Sequence, residues 1–241
     1  MKSTSTSLRA TALRLALCAG LATILISTSV RAAETAVPNA GWTQWGQTAK
    51  YKLQNWTTSP DNERFWDTGK GEYTCMYVNG DRTQDTKGRV ELRWPDWPDQ
   101  KAENMISADV MYEKGTLGTC IMQIKTNEGT GGGGHESIYL NIRDDHNLHH
   151  GVDRRVIIEG GFGEWHNIKA AYNPVTGIGR MWVDNKLKFE HTYPAGKGAT
   201  WYFKTGAYHA SGASKVHFKN ITFWVNHAAA KKADDAKAKK K

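Results

Sequence analysis

Hydrophobic and polar residues alternate along most of the chain between Thr35 and Asn226. Such alternation places successive side chains on opposite faces of a β-strand, and no segment shows a helical period of useful length. The alternating runs, separated by Gly, Asn, Asp and Pro, are GRVELRW, MISADVMY, CIMQIKT, SIYLNIR, RRVIIEG, WHNIKAAYN, GRMWVDNKLKFEH, WYFKTGAY and KVHFKNITFWV. About ten strands at this spacing predict an all-β fold, a β-sandwich or jelly roll of the concanavalin A-like lectin/glucanase type. We expect one such domain, over residues 33–226.

Two connections between these runs predict tight hairpins. AAYNPVTGIGRMW places Asn-Pro and Thr-Gly between two strands, and MWVDNKLKF places Asp184 and Asn185 between two more. Asn, Asp and Gly tolerate the positive φ angles that short hairpin turns require. These strands should therefore pair as neighbours.

The N-terminal segment has the features of a secretory signal peptide. Basic residues precede the apolar stretch LALCAGLATILI, and small residues near Ala32 and Ala33 suit a signal peptidase. No later apolar run is long enough to span a bilayer. We therefore predict a signal peptide over residues 1–32 and a secreted protein, extracellular or periplasmic, that has no membrane partner.

The basic charge lies at the two ends of the chain. The formal net charge is +8, and four basic residues belong to the predicted signal peptide. The tail, residues 227–241, holds six lysines against two aspartates and accounts for the remaining +4. The core is therefore near neutral, which disfavours a nucleic-acid partner, and the Ala/Lys-rich tail is predicted to be disordered. We expect a monomer.

Removal of the signal peptide leaves two of the three cysteines, Cys75 and Cys120. In an oxidising compartment a disulfide between them is favoured over two separate thiols.

Three of the strands place polar and charged residues on one face and mainly apolar residues on the other. Each strand alone is typical of the exposed face of a sheet. The polar sets are Arg89, Glu91 and Arg93 in GRVELRW; Gln123 and Lys125 in CIMQIKT; and Tyr202, Lys204 and Tyr208 in WYFKTGAY.

Together and in this order, these strands resemble the signature strands of polysaccharide lyases of the alginate lyase family 7 type, which include glucuronan lyase-like relatives. RVELR matches R-x-E-L-R in full, QIK matches Q-I/V-H at two of three positions, and YFKTGAY matches Y-F-K-x-G-x-Y-N-Q up to its last two residues. The resemblance implies a β-jelly roll whose groove binds an anionic polysaccharide. It also implies cleavage by β-elimination at a uronic acid, a scheme that requires no metal or organic cofactor.

The resemblance also implies roles for individual residues. The substrate carboxylate must be neutralised before the C5 proton can be removed, and Arg89 and Gln123 match the residues that do this. Tyr208 matches the acid, and also the base if elimination is syn. Lys204 would keep Tyr208 ionised or bind a neighbouring sugar, because an ammonium group favours the phenolate.

The remaining matched residues are expected to support substrate binding. Glu91 would orient the arginines through charge-assisted contacts, and Arg93 would bind substrate. Tyr202 shares the face of Lys204 and is expected to contact substrate as well.

The sequence departs from the family pattern at two places. Lys125 stands where the family has His, and His209 and Ala210 follow Tyr208 where the family has Asn and Gln. Lys125 in its charged form could neutralise the carboxylate, but it cannot replace a neutral imidazole without a lowered pKa. Either Tyr208 acts alone as base and acid, or a histidine comes from elsewhere: His209, His135 or the segment DDHNLHH. Alginate, glucuronan and other uronate polymers remain open as substrates.

Other features allow alternative functions. DDHNLHH could ligate a metal, but it is more typical of a polar turn or a loop that lines a groove. The glycines at 131–134 favour a lid over the groove rather than a phosphate loop. The E-x-D-x-x-E run of jelly-roll glycoside hydrolases is absent from the sequence, which disfavours hydrolysis. The main alternative to a lyase is a carbohydrate-binding protein in which Lys125 marks the loss of catalysis.

Overall fold

Two antiparallel β-sheets make up nearly all of the structure. The structure is a computed structural model, and it describes residues 41–78, 80–81, 88–126, 136–193, 200–208 and 212–228. A 3₁₀ turn, Asp61–Glu63, follows the second strand. The strands are β1 (Trp42–Trp45), β2 (Lys52–Asn55), β3 (Phe65–Asp67), β4 (Tyr73–Tyr77), β5 (Arg89–Asp96), β6 (Glu103–Tyr112), β7 (Thr119–Thr126), β8 (Glu136–Ile142), β9 (Leu148–His150), β10 (Val156–Ile158), β11 (His166–Tyr172), β12 (Ile178–Val183), β13 (Lys186–Thr192), β14 (Trp201–Tyr208) and β15 (Ser214–Asn226).

The order of the strands differs from their order in the chain. Within the described residues, an eight-stranded sheet runs β13-β12-β11-β6-β15-β4-β3, with β1 also paired to β15. The second sheet, seven-stranded over the same residues, runs β10-β9-β8-β7-β14-β5-β2. This two-sheet arrangement confirms the predicted all-β sandwich of the jelly-roll type.

The hydrophobic core lies between the sheets and takes the apolar face of each strand. On β5, Val90, Leu92 and Trp94 are buried in this core. Trp94 also donates a hydrogen bond from its indole Nε1 to the Thr205 hydroxyl of β14, at 3.1 Å. Burial of the apolar face leaves the alternate residues of β5 on the face turned away from the core, which we call the polar face of the seven-stranded sheet.

Both predicted hairpins are present. Strands β11 and β12 pair directly, and the Gly177 amide donates to the Asn173 carbonyl at 2.8 Å. Between β12 and β13, Asp184 and Asn185 have φ angles of 49° and 64°, the left-handed region that their short polar side chains tolerate.

Five of the strands were not predicted from the alternation. These are β1 to β4 and β9, which are three to five residues long. Strand β9 is the LHH part of DDHNLHH, where a turn was expected. A run this short contains too few residues to establish a period of two, so pairing with neighbouring strands decides its conformation.

The predicted disulfide between Cys75 and Cys120 is wrong. Cys75 lies on β4 of the eight-stranded sheet and packs in the core between the sheets, where burial raises the pKa of its thiol. Cys120 lies on β7 of the other sheet, and its sulfur is 3.5 Å from the Met122 carbonyl. The two residues are not bonded to each other in the structure, and of the two only Cys75 belongs to the core cluster.

Within the described part of the chain, no helix is long and apolar enough to cross a membrane. The predicted signal peptide and most of the predicted tail lie outside the described residues.

Candidate active site

The three strands with polar faces are neighbours, because β14 lies between β5 and β7. Tyr208 is opposite Arg89, and Lys204 is opposite Gln123 on one side and Arg93 on the other. Directly opposite residues of antiparallel strands point to the same face. The fold therefore collects side chains that are more than a hundred residues apart in the chain.

Glu91 is the centre of this cluster and is almost completely buried, with 1% of its surface exposed. Its carboxylate accepts hydrogen bonds from Gln123 Nε2 at 2.6 Å and from Lys204 Nζ at 3.1 Å. A guanidinium nitrogen of Arg89 is 3.6 Å from the same carboxylate. A buried carboxylate needs such donors to offset its desolvation.

The contact with Glu91 sets the orientation of the Gln123 amide. A carboxylate only accepts hydrogen bonds, so Nε2 faces it and the amide oxygen faces away. That oxygen, Gln123 Oε1, is buried and has no hydrogen-bond partner among the described residues. Gln123 can thus offer its second amide hydrogen and its oxygen to a molecule bound on the polar face.

Lys204 is also buried, with 4% of its surface exposed. Its ammonium donates to Gln54 Oε1 at 2.6 Å as well as to Glu91. Burial lowers the pKa of Lys204, the Glu91 carboxylate opposes this shift, and the charges of Arg89 and Lys125 add to it. Gln54 belongs to β2, a strand that the sequence pattern did not reveal.

Arg89 is held between two aromatic rings. Its Cζ atom is 3.6 Å from the centroid of the Trp56 ring and 4.4 Å from that of the Tyr208 ring. Its Nε atom is buried and has no hydrogen-bond partner within the described residues. The stacking restricts the guanidinium while leaving a donor for a bound anion. Trp56 was not predicted as a site residue, because it lies in a loop with no alternating pattern.

The Tyr208 ring is surrounded by positive charge. Lys125 Nζ and Lys204 Nζ each lie 6.0 Å from the ring centroid, in addition to the stacked Arg89. Lys125, which stands where the family pattern has histidine, therefore lies near the Tyr208 ring.

Arg93 and Tyr202 form a separate contact on the same face. The Arg93 Cζ atom is 4.0 Å from the Tyr202 ring centroid, and a guanidinium nitrogen is 2.6 Å from Asp96 Oδ1. The ion pair of Arg93 is therefore with Asp96, while the arginine next to Glu91 is Arg89.

Gly206 allows β14 and β5 to approach closely beside Glu91. Its φ angle is 150°, and a Cβ atom placed there would lie 2.4 Å from the Val90 carbonyl oxygen and 2.6 Å from Glu91 Cα. Only glycine fits this position without moving the β5 backbone.

Of the histidines proposed as alternative bases, the structure describes only those of DDHNLHH. His135 and His209 lie outside the described residues. His149 is separated from β14 by β8 and β7, and its ring nitrogens contact the Arg154 carbonyl and the Asp145 carboxylate, both at 2.8 Å. His150 contacts Asp153 at 2.7 Å and the Tyr193 hydroxyl at 2.5 Å.

DDHNLHH forms a turn and a short strand in the structure. Asp144, Asp145 and His146 are exposed, and Leu148–His150 is strand β9. Among the described residues, no group of three or more His, Cys, Asp or Glu side chains could hold a metal ion.

No protein-family model matches the chain, and no curated protein matches its sequence. Solved structures do match. The chain resembles family 7 alginate lyases in fold. A marine family 7 alginate lyase from Zobellia galactanivorans has a TM-score of 0.56 and 14% identity, with 77% of this chain and 95% of that one covered. The alginate lyase AlgAT5 of the same family has a TM-score of 0.55 and 14% identity, with 72% and 93% covered.

An alginate lyase from Pseudomonas aeruginosa is similar at 20% identity, with a TM-score of 0.52 and coverage of 67% of this chain and 85% of that one. At these identities the likeness is one of fold. It confirms the structural part of the resemblance that the three strands carry, and the chemistry has to be argued from the side chains.

Proposed function

We propose that the protein is a polysaccharide lyase that cleaves a uronic-acid polymer by β-elimination. The observation that carries this proposal is that the Tyr208 phenol lies among three cationic groups, those of Arg89, Lys125 and Lys204. Such a site suits a reaction in which a phenol moves a proton while negative charge develops on the substrate.

The first requirement of the reaction is to neutralise the uronate carboxylate, because the C5 hydrogen is otherwise not acidic. The buried Nε of Arg89 and the second amide hydrogen of Gln123 are donors that the described residues do not use. Both are held in place before substrate binds, Arg89 by stacking and Gln123 by Glu91. Preorganised donors stabilise the developing enolate more than mobile ones do.

The second requirement is proton transfer, for which we assign Tyr208. As the phenolate it takes the proton from C5; the electron pair forms the C4–C5 double bond, and the bond between C4 and the glycosidic oxygen breaks. The phenol then returns the proton to the leaving oxygen, so that Tyr208 ends the cycle as it began. The nearby cations favour the phenolate. Lys125 contributes positive charge here, in place of the histidine of the family pattern.

Glu91 and Lys204 act as positioning residues in this scheme. Glu91 holds the Gln123 amide, and Lys204 is held in turn by Gln54 and Glu91. Neither needs to touch the reacting atoms.

The test is a panel of polymers that includes alginate, glucuronan and a neutral glucan. We expect ultraviolet absorbance of an unsaturated uronate with at least one uronate polymer and none with the glucan. Tyr208→Phe should lower the rate by about 10²–10⁴-fold with an unchanged circular dichroism spectrum. The absence of unsaturated product from every uronate polymer would overturn the proposal.

Lys125 favours a second candidate function, that of a carbohydrate-binding protein without catalysis, because it stands where the family pattern has histidine. In that case polymer binds, no unsaturated end forms, and Lys125→His does not create activity.

We also infer that the protein is exported and acts as a monomer, with the predicted signal peptide over residues 1–32 as support for export. Fractionation of expressing cells and size-exclusion chromatography with light scattering test these two inferences.

A further inference from the structure

The polar face that carries Tyr208 continues across β7 onto β8. Cys120 of β7 lies opposite Tyr208 on one side and opposite Asn141 of β8 on the other. Because directly opposite residues share a face, Asn141 points to the same side of the sheet as Tyr208. Two strand spacings separate them, which is about 10 Å.

A pocket opens at this place. Its volume is about 220 Å³, below the roughly 300–1,000 Å³ typical of sites for drug-sized ligands. This size suits a single sugar ring. It is lined by Gly118, Cys120, Asn141, Ile142, Arg143 and Asp144.

Arg143 brings an uncommitted cation to the pocket. Its backbone is fixed, since its amide donates to the Asn147 carbonyl at 3.1 Å and its carbonyl accepts from the His146 amide at 2.8 Å. Its side-chain Nε is buried and has no hydrogen-bond partner within the described part of the chain. Buried donors are nearly always satisfied in proteins, and a guanidinium fits a carboxylate through two parallel hydrogen bonds.

The other polar groups of the pocket suit a sugar rather than a simple anion. The Asn141 amide can both donate and accept, and the Asp144 carboxylate can accept from hydroxyl groups. Asp144 would repel a small anion that lacks hydroxyls. An arginine next to an amide and a carboxylate therefore favours a ligand that carries one carboxylate and several hydroxyls.

We propose that this pocket is a second uronate subsite, in which Arg143 binds the carboxylate of a sugar further along the polymer and Asn141 and Asp144 bind its hydroxyls. The inference rests on the proposed function, which places the reacting uronate at Tyr208. It narrows the substrate class to polymers with uronates at successive positions, because a neutral sugar in this pocket would leave Arg143 without its partner.

The test measures binding rather than turnover. Full-length protein with Tyr208→Phe, which blocks the reaction, is titrated calorimetrically with oligosaccharides of mannuronate, guluronate or glucuronate, and with their carboxyl-reduced counterparts. Adding Arg143→Ala should weaken binding of the preferred oligouronate by roughly 10–100-fold, the range expected for hydrogen bonds to a charged group. Affinity for the carboxyl-reduced ligand should stay the same.

Two further variants serve as controls. Arg143→Lys keeps the charge but not the paired donors and should fall between wild type and Arg143→Ala. Lys70→Ala removes an exposed charge from the turn between β3 and β4, which belong to the other sheet, and should change nothing. The subsite would be overturned if the Arg143→Ala variant bound the oligouronate as tightly as the protein with Arg143 does. It would also be overturned if the substitution weakened binding of the carboxyl-reduced ligand by the same factor as binding of the oligouronate.

The outcome separates this inference from the lyase proposal. If Arg143-dependent binding is found but the enzyme with Tyr208 forms no unsaturated product, the subsite stands and the lyase fails. If product forms and Arg143→Ala leaves the KM for polymer unchanged, the lyase stands and the subsite fails.

Discussion

Each sheet of the sandwich holds an ion cluster around a buried carboxylate on its outer side, Glu103 in one sheet and Glu91 in the other, and the two clusters differ in the sign of their excess charge. In the eight-stranded sheet, Arg180 lies between two carboxylates, 2.7 Å from Glu103 and 2.7 Å from Glu190. In the seven-stranded sheet, Glu91 lies between Arg89 and Lys204. One cation serves two carboxylates in the first cluster, and one carboxylate serves two cations in the second.

The pKa shifts follow this difference. Burial alone would lower the pKa of Arg180, but its contacts with Glu190 and Glu103 raise it. Burial lowers the pKa of Lys204, and Glu91 does not fully compensate. The excess charge in the Arg180 cluster is negative: burial raises the pKa of Glu103, Arg180 opposes this shift, and the charge of Glu190 adds to it. The excess charge in the Glu91 cluster is positive. An excess of buried cations is costly for folding and useful for binding an anion, which is typical of functional sites.

The largest difference between the clusters should appear when their arginines are removed. Arg89→Ala should lower kcat/KM for the uronate polymer by about 10²–10³-fold, the usual effect of losing one donor to a developing oxyanion. Arg180→Ala should instead destabilise the fold by about 1–3 kcal/mol, because Glu103 stays buried without its partner, and leave kcat/KM near wild type. Steady-state kinetics and urea denaturation of both variants provide the measurement. Equal kinetic losses in both would mean that the clusters do not differ in function.

Neutralising the carboxylates should sharpen the comparison. Glu91→Gln leaves Lys204 and Arg89 buried without an anion and should cost roughly 2–4 kcal/mol of unfolding free energy. Glu190→Gln, at a largely exposed carboxylate, should cost less than about 1 kcal/mol. Adding an oligouronate should narrow the stability gap between Glu91→Gln and wild type and leave the gap between Glu190→Gln and wild type unchanged, as measured by thermal unfolding with and without the ligand. No ligand-dependent recovery would argue against an anion site at Glu91.

A smaller effect is expected at Trp56, which stacks on Arg89. Trp56→Ala should lower kcat/KM by a few fold, in line with about 0.5–1 kcal/mol for an exposed cation–π contact, and Trp56→Phe should restore most of it. Trp66→Ala is the matched control, because the two tryptophans are similarly exposed, at 39% and 41%. The same loss in the Trp66 variant would point to a general role of surface aromatic residues instead.

The smallest effect is a pH dependence of stability that both sheets share. Burial lowers the pKa of Lys204 and also that of Lys169, on which Asp109 acts in the opposite direction. Between the lowered value and the ordinary 10.5, the unfolded state binds more protons than the folded state, so the unfolding free energy rises with pH in that window.

Below the window, the cost of burying each ammonium is fully present. Lys204→Met and Lys169→Met should each reduce the rise of the unfolding free energy with pH. Urea denaturation between neutral pH and the ordinary lysine pKa of 10.5 measures this rise. A stability difference from wild type that does not change with pH would contradict the assigned shifts.

The strand faces of the site could be predicted from the sequence alone, and its assembly could not. The alternation in GRVELRW correctly places Val90 and Leu92 in the core and Glu91 on the opposite face, because a strand has a period of two whatever its neighbours are. The chain gives no direct signal that β14 lies between β5 and β7, since those strands are separated by long stretches of sequence. Similarity to family signature strands predicted a shared groove but not the order of the strands in it.

Two of the residues missed at the site lie where the sequence has no periodic signal, and the third ends the alternating run SIYLNIR. Gln54 is on a four-residue strand, Trp56 is in a loop, and Arg143 follows the last residue of β8. Their positions depend on strand pairing with distant parts of the chain. The disulfide prediction failed for a related reason, because a count of cysteines carries no information on how far apart the fold places them or in which direction their side chains point.

The sequence by itself determined which side chains share a face of each strand and which turns accept positive φ, since both follow from local backbone geometry. The tertiary structure alone decided that Gln123, Lys204 and Arg89 all contact the Glu91 carboxylate. It also decided that Arg143 lines a pocket two strands away from Tyr208. These arrangements depend on strand order and register, which arise from burying two sheets against each other and not from any local pattern.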